Sequence, residues 1–281
     1  MRQKLSAVIL SLNEEENISG CLESLKGWVD EIIVCDSFSC DRTVEIAREY
    51  TDRVLEHEYT AAGIARNWVI PQASHEWVFV IDCDERVTPE LKKELLDILE
   101  KGGRGHNGYE IRRETEFFGA MIKHCGWEKE YVTRLFRRDL GRYDERQVHA
   151  AIHVEGTTGQ IDAPLLHYCY RDWAEYIEIL HRYSTWGALE LKKQGRKPCW
   201  TDMVGRPIIR FFKMFFVRLG FLEGKRGFVL CSLAMFSVFM KYTKLWNMCR
   251  LEKLEAGGVK QEPEGKLMRI SPCMQAEEEE K

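Results

Sequence analysis

The feature that most restricts the fold is the rhythm of the first hundred residues, where short apolar runs alternate with helix-patterned segments. "LSAVILSL" precedes "EENISGCLESLKGW", "DEIIVCD" precedes "DRTVEIAREY", "RVLEHE" precedes "AAGIARNWVIPQA", and "EWVFVIDCD" leads to "PELKKELLDILEK". Strands joined by helices of this length build right-handed βαβ units around a parallel sheet, so the expected class is α/β. The spacing predicts a helix over 89–101, with Thr88 as its cap, Pro89 in its first turn and Gly102 and Gly103 ending it. Beyond it, "GYEIRR", "YVTRLFRR", "AAIHVEG" and "QIDAPLLHY" read as separate strands of a mixed extension, and 172–194 reads as a helix capped by Asp172. Two further apolar helical stretches follow, and the chain ends in "QAEEEEK", expected to be a disordered tail.

A chain of 281 residues can hold one large core or a core with an appended subdomain, and the change of rhythm favours the second. The formal net charge of −4 argues against a general binder of nucleic acid polymers. The opening "MRQKLSAVILSLNEEEN" is too briefly apolar for a signal peptide, which makes the cytosol the expected compartment. No CxxC pair occurs among the ten cysteines, so a thiolate zinc site is not expected; core packing is the reading for most of them.

Ligands of an open α/β sheet bind at the carboxyl ends of its strands, and acidic or amide clusters stand at those ends: Asn13, Glu14 and Glu15 after the first, Asp36, Ser37 and Ser39 after the second, Asp82 and Asp84 after the fourth. Any one cluster reads as helix capping; their recurrence favours a binding site. The Asp82-Cys83-Asp84 turn can present two carboxylates to one hard divalent ion, Mg2+ or Mn2+, which keeps open positions for phosphate oxygens. Asp36 can accept a hydrogen bond from a base N–H, and Arg66 can neutralise phosphate. Neither GxGxxG nor GxxxxGK[ST] is present, so metal takes the place of glycine amides at a diphosphate.

"AVILSLNEEENI", "EIIVCDSFSCDRTVEIA", "GIARN" and "FVIDCDERVTPEL" resemble the successive nucleotide-binding motifs of inverting family 2 glycosyltransferases with the GT-A fold. "TRLFRR", "VHAAIHVEG", "PLLHYCYRDWAEYIEILHRYST" and "RFFKMFFVRLGFLEGKRGF" resemble the lipopolysaccharide-core β-glucosyltransferase branch, so the likeness spans roughly residues 4–250. It implies a GT-A-like nucleotide-binding domain over 1–170, with a nucleotide-sugar half to about 105 and an acceptor half from about 106, then a helical amphipathic region over 171–258 and a tail over 259–281. It also implies a UDP-sugar donor bordered by Leu12, Asn13, Glu14 and Ser37, with Asp36 at the base, Arg66 at the phosphates, Asp82 near ribose and Asp84 on the metal.

Inverting transfer is a single displacement in which a carboxylate deprotonates the acceptor hydroxyl. "GRYDERQVH" supplies Glu145, the favoured base, and Asp144, the next candidate. The branch commonly carries Val-His-Glu where this chain has Val148, His149 and Ala150, which keeps a non-catalytic nucleotide-sugar-binding scaffold beside the enzyme as a reading. His149 is a minority candidate for the metal, although histidines flanking apolar strands, here His149, His153 and His167, are more often core or rim residues. Of Arg134, Arg137 and Arg138, at least one is expected to face the acidic pocket. An Asp-x-Asp phosphatase ranks behind, because Arg86 stands where that signature needs Thr or Val.

In "GRPIIRFFKMFFVRLG", Arg206, Arg210 and Lys213 fall on one helical face, and Ile209, Phe212, Phe216 and Leu219 on another. Basic aromatic helices of this kind lie in a bilayer interface. The charge-free "GFVLCSLAMFSVFM" is shorter than the ~20 residues of a spanning helix, so packing or partial insertion is expected. The leading expectation is therefore a metal-dependent hexosyltransferase peripheral to the inner face of the plasma membrane. Its acceptor would be a glycolipid or lipid-linked saccharide, its surface partner an anionic membrane, and its quaternary state is left open between monomer and homo-oligomer.

Overall fold

The computed structural model describes residues 2–127, 130–144, 151–168, 170 and 172–256. The sequence candidates Glu145 and His149, and the acidic tail, lie outside the described residues. The chain divides into two compact units, Met1–Thr115 with Lys129–Cys169, and Glu116–Glu128 with Tyr170–Lys281.

The first unit is built on strands whose side chains alternate between two buried faces. In β1 (Leu5–Ser11), Leu5, Ala7 and Ile9 enter one core and Val8 the other. β2 (Glu31–Asp36) divides Val34 from Ile33 and Cys35 in the same way, and β4 (Trp77–Asp82) divides Trp77, Phe79 and Ile81 from Val78 and Val80. With β3 (Val54–Glu56) these strands run parallel in the order β3-β2-β1-β4. Helices α1 (Ile18–Leu25), α2 (Thr43–Arg48) and α3 (Ala62–Val69) make the crossovers. α1 buries Ile18, Cys21, Leu22 and Leu25, one helical stripe, each large aliphatic side chain contributing about 1.5–3 kcal/mol.

After β4 the chain turns through Cys83 and Asp84 into a three-residue strand, β5 (Glu85–Val87), then α4 (Pro89–Glu100). The Thr88 side chain accepts from the Leu91 N–H, as the sequence predicts, and Pro89 occupies the first turn. β6 (Gly108–Thr115), β7 (Glu130–Arg137) and β10 (Thr158–His167) complete an eight-stranded sheet in the order β3-β2-β1-β4-β7-β6-β10-β5. β7 lies antiparallel between β4 and β6, and β5 antiparallel against β10, so the sheet is mixed. β8 (Gly141–Tyr143) and β9 (Ile152–Val154) form a separate antiparallel pair. The sequence reading anticipated the mixed extension but not β5 or β8, whose three residues are too few to show a period.

The second unit is helical. α5 (Trp173–Lys193) is capped by Asp172, whose carboxylate accepts from the Glu175 N–H at 2.8 Å. α6 (Arg206–Phe212) is flanked by π-helical turns, Thr201–Gly205 and Lys213–Val217. α7 (Gly224–Ala256) is one continuous helix of 33 residues, about 50 Å long. Residues Gly220–Leu254 are long and apolar enough to cross a membrane by length and composition. α7 packs Leu230, Cys231 and Leu233 inward and leaves Phe228, Phe236, Phe239 and Trp246 exposed. Cys21, Cys35, Cys83, Cys125 and Cys231 are buried free thiols, in line with core packing, whereas Cys199 is exposed and Cys40 takes part in a disulfide.

Candidate active site

The strand order places β1 between β2 and β4, so the crevice of the parallel half opens where the chain leaves β1 and β4. After β1, Asn13 adopts a left-handed conformation (φ 54°) that turns the chain sharply beyond half-buried Leu12. The loop is fastened to the one after β2: Asn13 N–H donates to Ser39 Oγ at 2.8 Å, Asn13 Oδ1 accepts from Cys40 N–H at 2.9 Å, and Glu14 N–H donates to Thr43 Oγ1 at 2.7 Å. Asp36 is buried at the centre of this fastening. Its oxygens accept from Ser11 Oγ at 2.8 Å, Ser39 N–H at 2.7 Å and Ser39 Oγ at 2.6 Å. Ser37 donates its N–H to Ser11 O at 2.9 Å. Exposed Phe38, also left-handed, stands beside it.

Asp82 ends β4 between two guanidiniums. Arg66 from α3 binds Oδ1, and Arg134 from β7 binds Oδ2. Arg134 also donates to Glu85 Oε1 at 2.6 Å, and Glu85 Oε2 accepts the Asp82 N–H at 3.1 Å. Burial disfavours the ionised Asp82, but the Arg134 and Arg66 charges overcome it and hold the carboxyl well below the usual range. For Glu85 burial prevails, and its carboxyl is pushed up despite Arg134. Arg137 pairs with Glu76 and Arg138 with Asp139, so Arg134 is the member of "TRLFRR" that enters the pocket.

Asp84 is the second residue of the turn. The antiparallel register of β5 and β10 aligns Glu85 with His167, and Tyr168 N–H donates to Asp84 O at 2.8 Å. This brings His167 Nε2 to 3.2 Å from Asp84 Oδ2, while Nδ1 meets Thr115 Oγ1 at 3.1 Å. Asp84 Oδ1 is buried and has no hydrogen-bond partner among the described residues. Arg86 locks the turn from behind, donating to Cys83 O at 2.7 Å and to Asn17 O at 2.8 Å. It crosses α1 at Gly20, where a Cβ would lie 2.4 Å from its Nε, so only glycine admits the arginine without displacement.

Carboxylate oxygen with imidazole nitrogen is a donor set suited to Mn2+ or Mg2+, and a buried carboxylate oxygen lacking a donor is what a cation would satisfy. No group of three or more His, Cys, Asp or Glu side chains suited to a metal occurs among the described residues. A metal here would therefore complete its shell with ligand oxygens and water. His167 is a residue that sequence reasoning left as a rim histidine, and Glu85, one of three acids clustered after the fourth strand, was given no role of its own. The available signal was the position of His167 at the end of an apolar strand, but its pairing with β5 is a long-range fact.

Asn67 of α3 brackets Tyr143 of β8, its Nδ2 donating to Tyr143 O at 2.8 Å and its Oδ1 accepting the Tyr143 N–H at 2.9 Å. The Arg66 guanidinium lies over the Tyr143 ring at 5.1 Å. Asp144 follows, with its N–H on Ala151 O at 2.9 Å. In the helical unit, Arg206 pairs with Asp202, and Phe212, Phe216, Arg210 and Lys213 are exposed.

The family profile described as "Glycosyl transferase family 2" matches residues 6–155. The lipopolysaccharide core biosynthesis glycosyltransferase LpsC of Rhizobium meliloti (strain 1021) is 29% identical over 252 residues, covering 85% of this chain and 93% of its own. An uncharacterized glycosyltransferase of Rickettsia conorii (strain ATCC VR-613 / Malish 7) is 29% identical over 266 residues, covering 87% and 90%. Among solved structures, glucosyl-3-phosphoglycerate synthase from Mycobacterium tuberculosis in complex with Mg2+ and UDP aligns with a TM-score of 0.46 at 19% identity, over 72% of this chain and 83% of that one. Matched over more than half its length and carrying its acidic motifs at the ends of β1, β2 and β4, the chain belongs to glycosyl transferase family 2.

Proposed function

We propose that the protein transfers a hexose, glucose in the first instance, from a UDP-sugar to a lipid-linked saccharide of the lipopolysaccharide-core type, with inversion at the anomeric carbon. The observation that carries this reading is the buried, unpartnered Oδ1 of Asp84 beside the His167 imidazole, at the mouth of the crevice between β1 and β4. The name of the Rhizobium meliloti relative supports the acceptor class, and the likeness of the loop motifs to family 2 enzymes supports the UDP donor.

In this reading Asp84 and His167 hold Mg2+ or Mn2+, which when bound neutralises the diphosphate and eases its departure as leaving group. Asp82, with both oxygens taken by Arg66 and Arg134, sets the turn and lies beside the ribose. Arg66 and Arg134 offset the Asp82 charge beside the phosphates. Leu12, Asn13, Glu14, Asp36 and Ser37 border the nucleoside, where Asp36 retains a lone pair for a base N–H. Glu145, with Asp144 next, removes the proton from the acceptor hydroxyl as it attacks.

The outward Phe212 and Phe216 beside Lys213 support residence on an anionic membrane surface facing the cytoplasm, where lipid-linked acceptors are presented. The test is transfer from UDP-[14C]glucose to deacylated and intact lipopolysaccharide cores, with and without Mn2+. Metal-dependent labelling that disappears in Asp84→Asn supports the reading. Full labelling by that variant, or none from any UDP-hexose, overturns it.

A further inference from the structure

Within the helical unit, α5, α6 and α7 line a half-open cavity of about 430 Å³, within the size range of small-molecule sites. Its wall on α7 runs from Leu230 through Ala234 and Val238 to Lys241, about 16 Å along one helical stripe. Tyr176 and Leu180 of α5 and Met214 beyond α6 make the apolar side. Arg210 and Lys241 supply cations to the same cavity.

Among the described residues neither cation has a carboxylate within ion-pairing distance. The acid of this neighbourhood, Asp202, is already engaged by Arg206 and by Arg196 at 3.7 Å. Lys241 instead stands in the field of Arg206, Arg210 and Arg196, and burial followed by those charges draws its pKa below the ordinary lysine value. Its stem lies across α5 at Gly187, where a Cβ would come within 2.8 Å of the Lys241 Cδ. The lysine stem is thus packed against α5. Two neighbouring cations without a counter-ion, at one end of an apolar slot, form a receptor for an anion that carries a hydrocarbon tail. Outside the slot, α6 and α7 expose Phe212, Phe228 and Phe239, surface compatible with entry from lipid.

We propose that this cavity binds a lipid phosphate monoester, its phosphate between Arg210 and Lys241 and its chain along Leu230 and Tyr176. A monoester carries about −1.5 to −2 charges at neutral pH, a match for the two cations. All lining residues belong to the helical unit.

The test is isothermal titration calorimetry of the full chain with n-dodecyl phosphate, inorganic phosphate and neutral n-dodecyl glucoside, each as monomer in solution. Saturable one-to-one binding of the alkyl phosphate is expected, at least about tenfold tighter than either half-ligand. Arg210→Gln with Lys241→Gln should weaken it by about tenfold or more, while Arg210→Lys with Lys241→Arg, which keeps the charges, should stay within about threefold. Ala234→Phe fills the apolar end and leaves both cations, so it guards against misfolding of the double variant; it should weaken the alkyl phosphate alone. Equal affinity of the charge-neutralised variant, equal affinity for the glucoside, or indifference to Ala234→Phe each overturns the proposal. Inorganic phosphate binding as tightly as the alkyl phosphate makes this a free-anion site and overturns its lipid part.

Discussion

Asp84 and His167 lie 83 positions apart in sequence and meet with Nε2 3.2 Å from Oδ2, because the register of β5 against β10 sets Glu85 opposite His167. The pair depends on backbone pairing, and Thr115 fixes the far side of the ring. His167→Ala should therefore weaken Mn2+-dependent UDP binding by about 10–100-fold, the usual cost of losing a ligand or its support. Asp84→Asn should abolish it. Calorimetric titration of UDP with and without Mn2+ reads both; a metal-dependence unchanged in either variant sinks the assignment.

Arg134 joins two carboxylates, Asp82 and buried Glu85. Removing it leaves two acids close together without their shared cation, which costs about 3–5 kcal/mol for a buried pair. Arg134→Met should lower the urea midpoint accordingly, and Glu85→Gln in the same chain should restore part of the loss. Additive losses in the double variant would show that Arg134 and Glu85 are not coupled.

The parallel half of the site could be read from sequence because period-2 burial in β1, β2 and β4 fixes where each strand ends, and the acids follow directly. Asp36, Asp82 and Asp84 therefore fell at the correct rim. What the sequence did not show is that both Asp82 oxygens are taken by guanidiniums, since Arg66 and Arg134 arrive from α3 and β7. The contact of His167 with Asp84 was hidden for a similar reason: β5 has three residues, and its partner strand lies some eighty positions away. The long α7 was also obscured, because Lys241 and Lys244 interrupt its apolar run, yet both are accommodated by α5: Lys244 Nζ donates to Ser184 Oγ and Thr185 Oγ1, each at 2.7 Å.

Asn67 holds the β8 backbone by a paired donor and acceptor, just before the segment that carries Asp144. Asn67→Ala removes both bonds and should cost about 1–3 kcal/mol. In the proposed reading the bracket serves the acceptor side, so the Kd for UDP should stay within about twofold while kcat falls about tenfold or more. Equal losses in both would place Asn67 in the nucleotide pocket instead.

Glu31 gives the acid limb of stability its sign. Burial works against the charge, but hydrogen bonds from Ser6 and Ser74 and the Arg53 guanidinium bring the carboxyl down to about 2. A folded-state value below the unfolded one contributes stability that is present in full above about pH 4.5 and is lost as the pH falls toward 2. Glu31→Gln should flatten the urea midpoint across that window and cost about 1–3 kcal/mol at pH 7. An acid limb as steep as that of the parent chain would move the effect to other carboxylates.

Phe212 and Phe216 are each 53% exposed, stacked on one another at 5.5 Å, with Val217 and Ile209 beside them. An exposed stacked pair gains little from the fold, and each ring is worth about 1.5–3 kcal/mol when taken out of water. Lys213 stands between them in sequence and adds about 1 kcal/mol on an anionic surface. Arg206 differs, because its guanidinium is held by Asp202 and by the face of Tyr242. Phe212→Ser with Phe216→Ser should therefore cut flotation on phosphatidylglycerol vesicles by about a hundredfold in partition coefficient with little change in melting temperature. Lys213→Glu should reduce it by about tenfold, and only at low salt. Arg206→Glu should lower the melting temperature more than it lowers binding. Flotation that survives loss of both phenylalanines would mean that α7 alone carries the membrane contact.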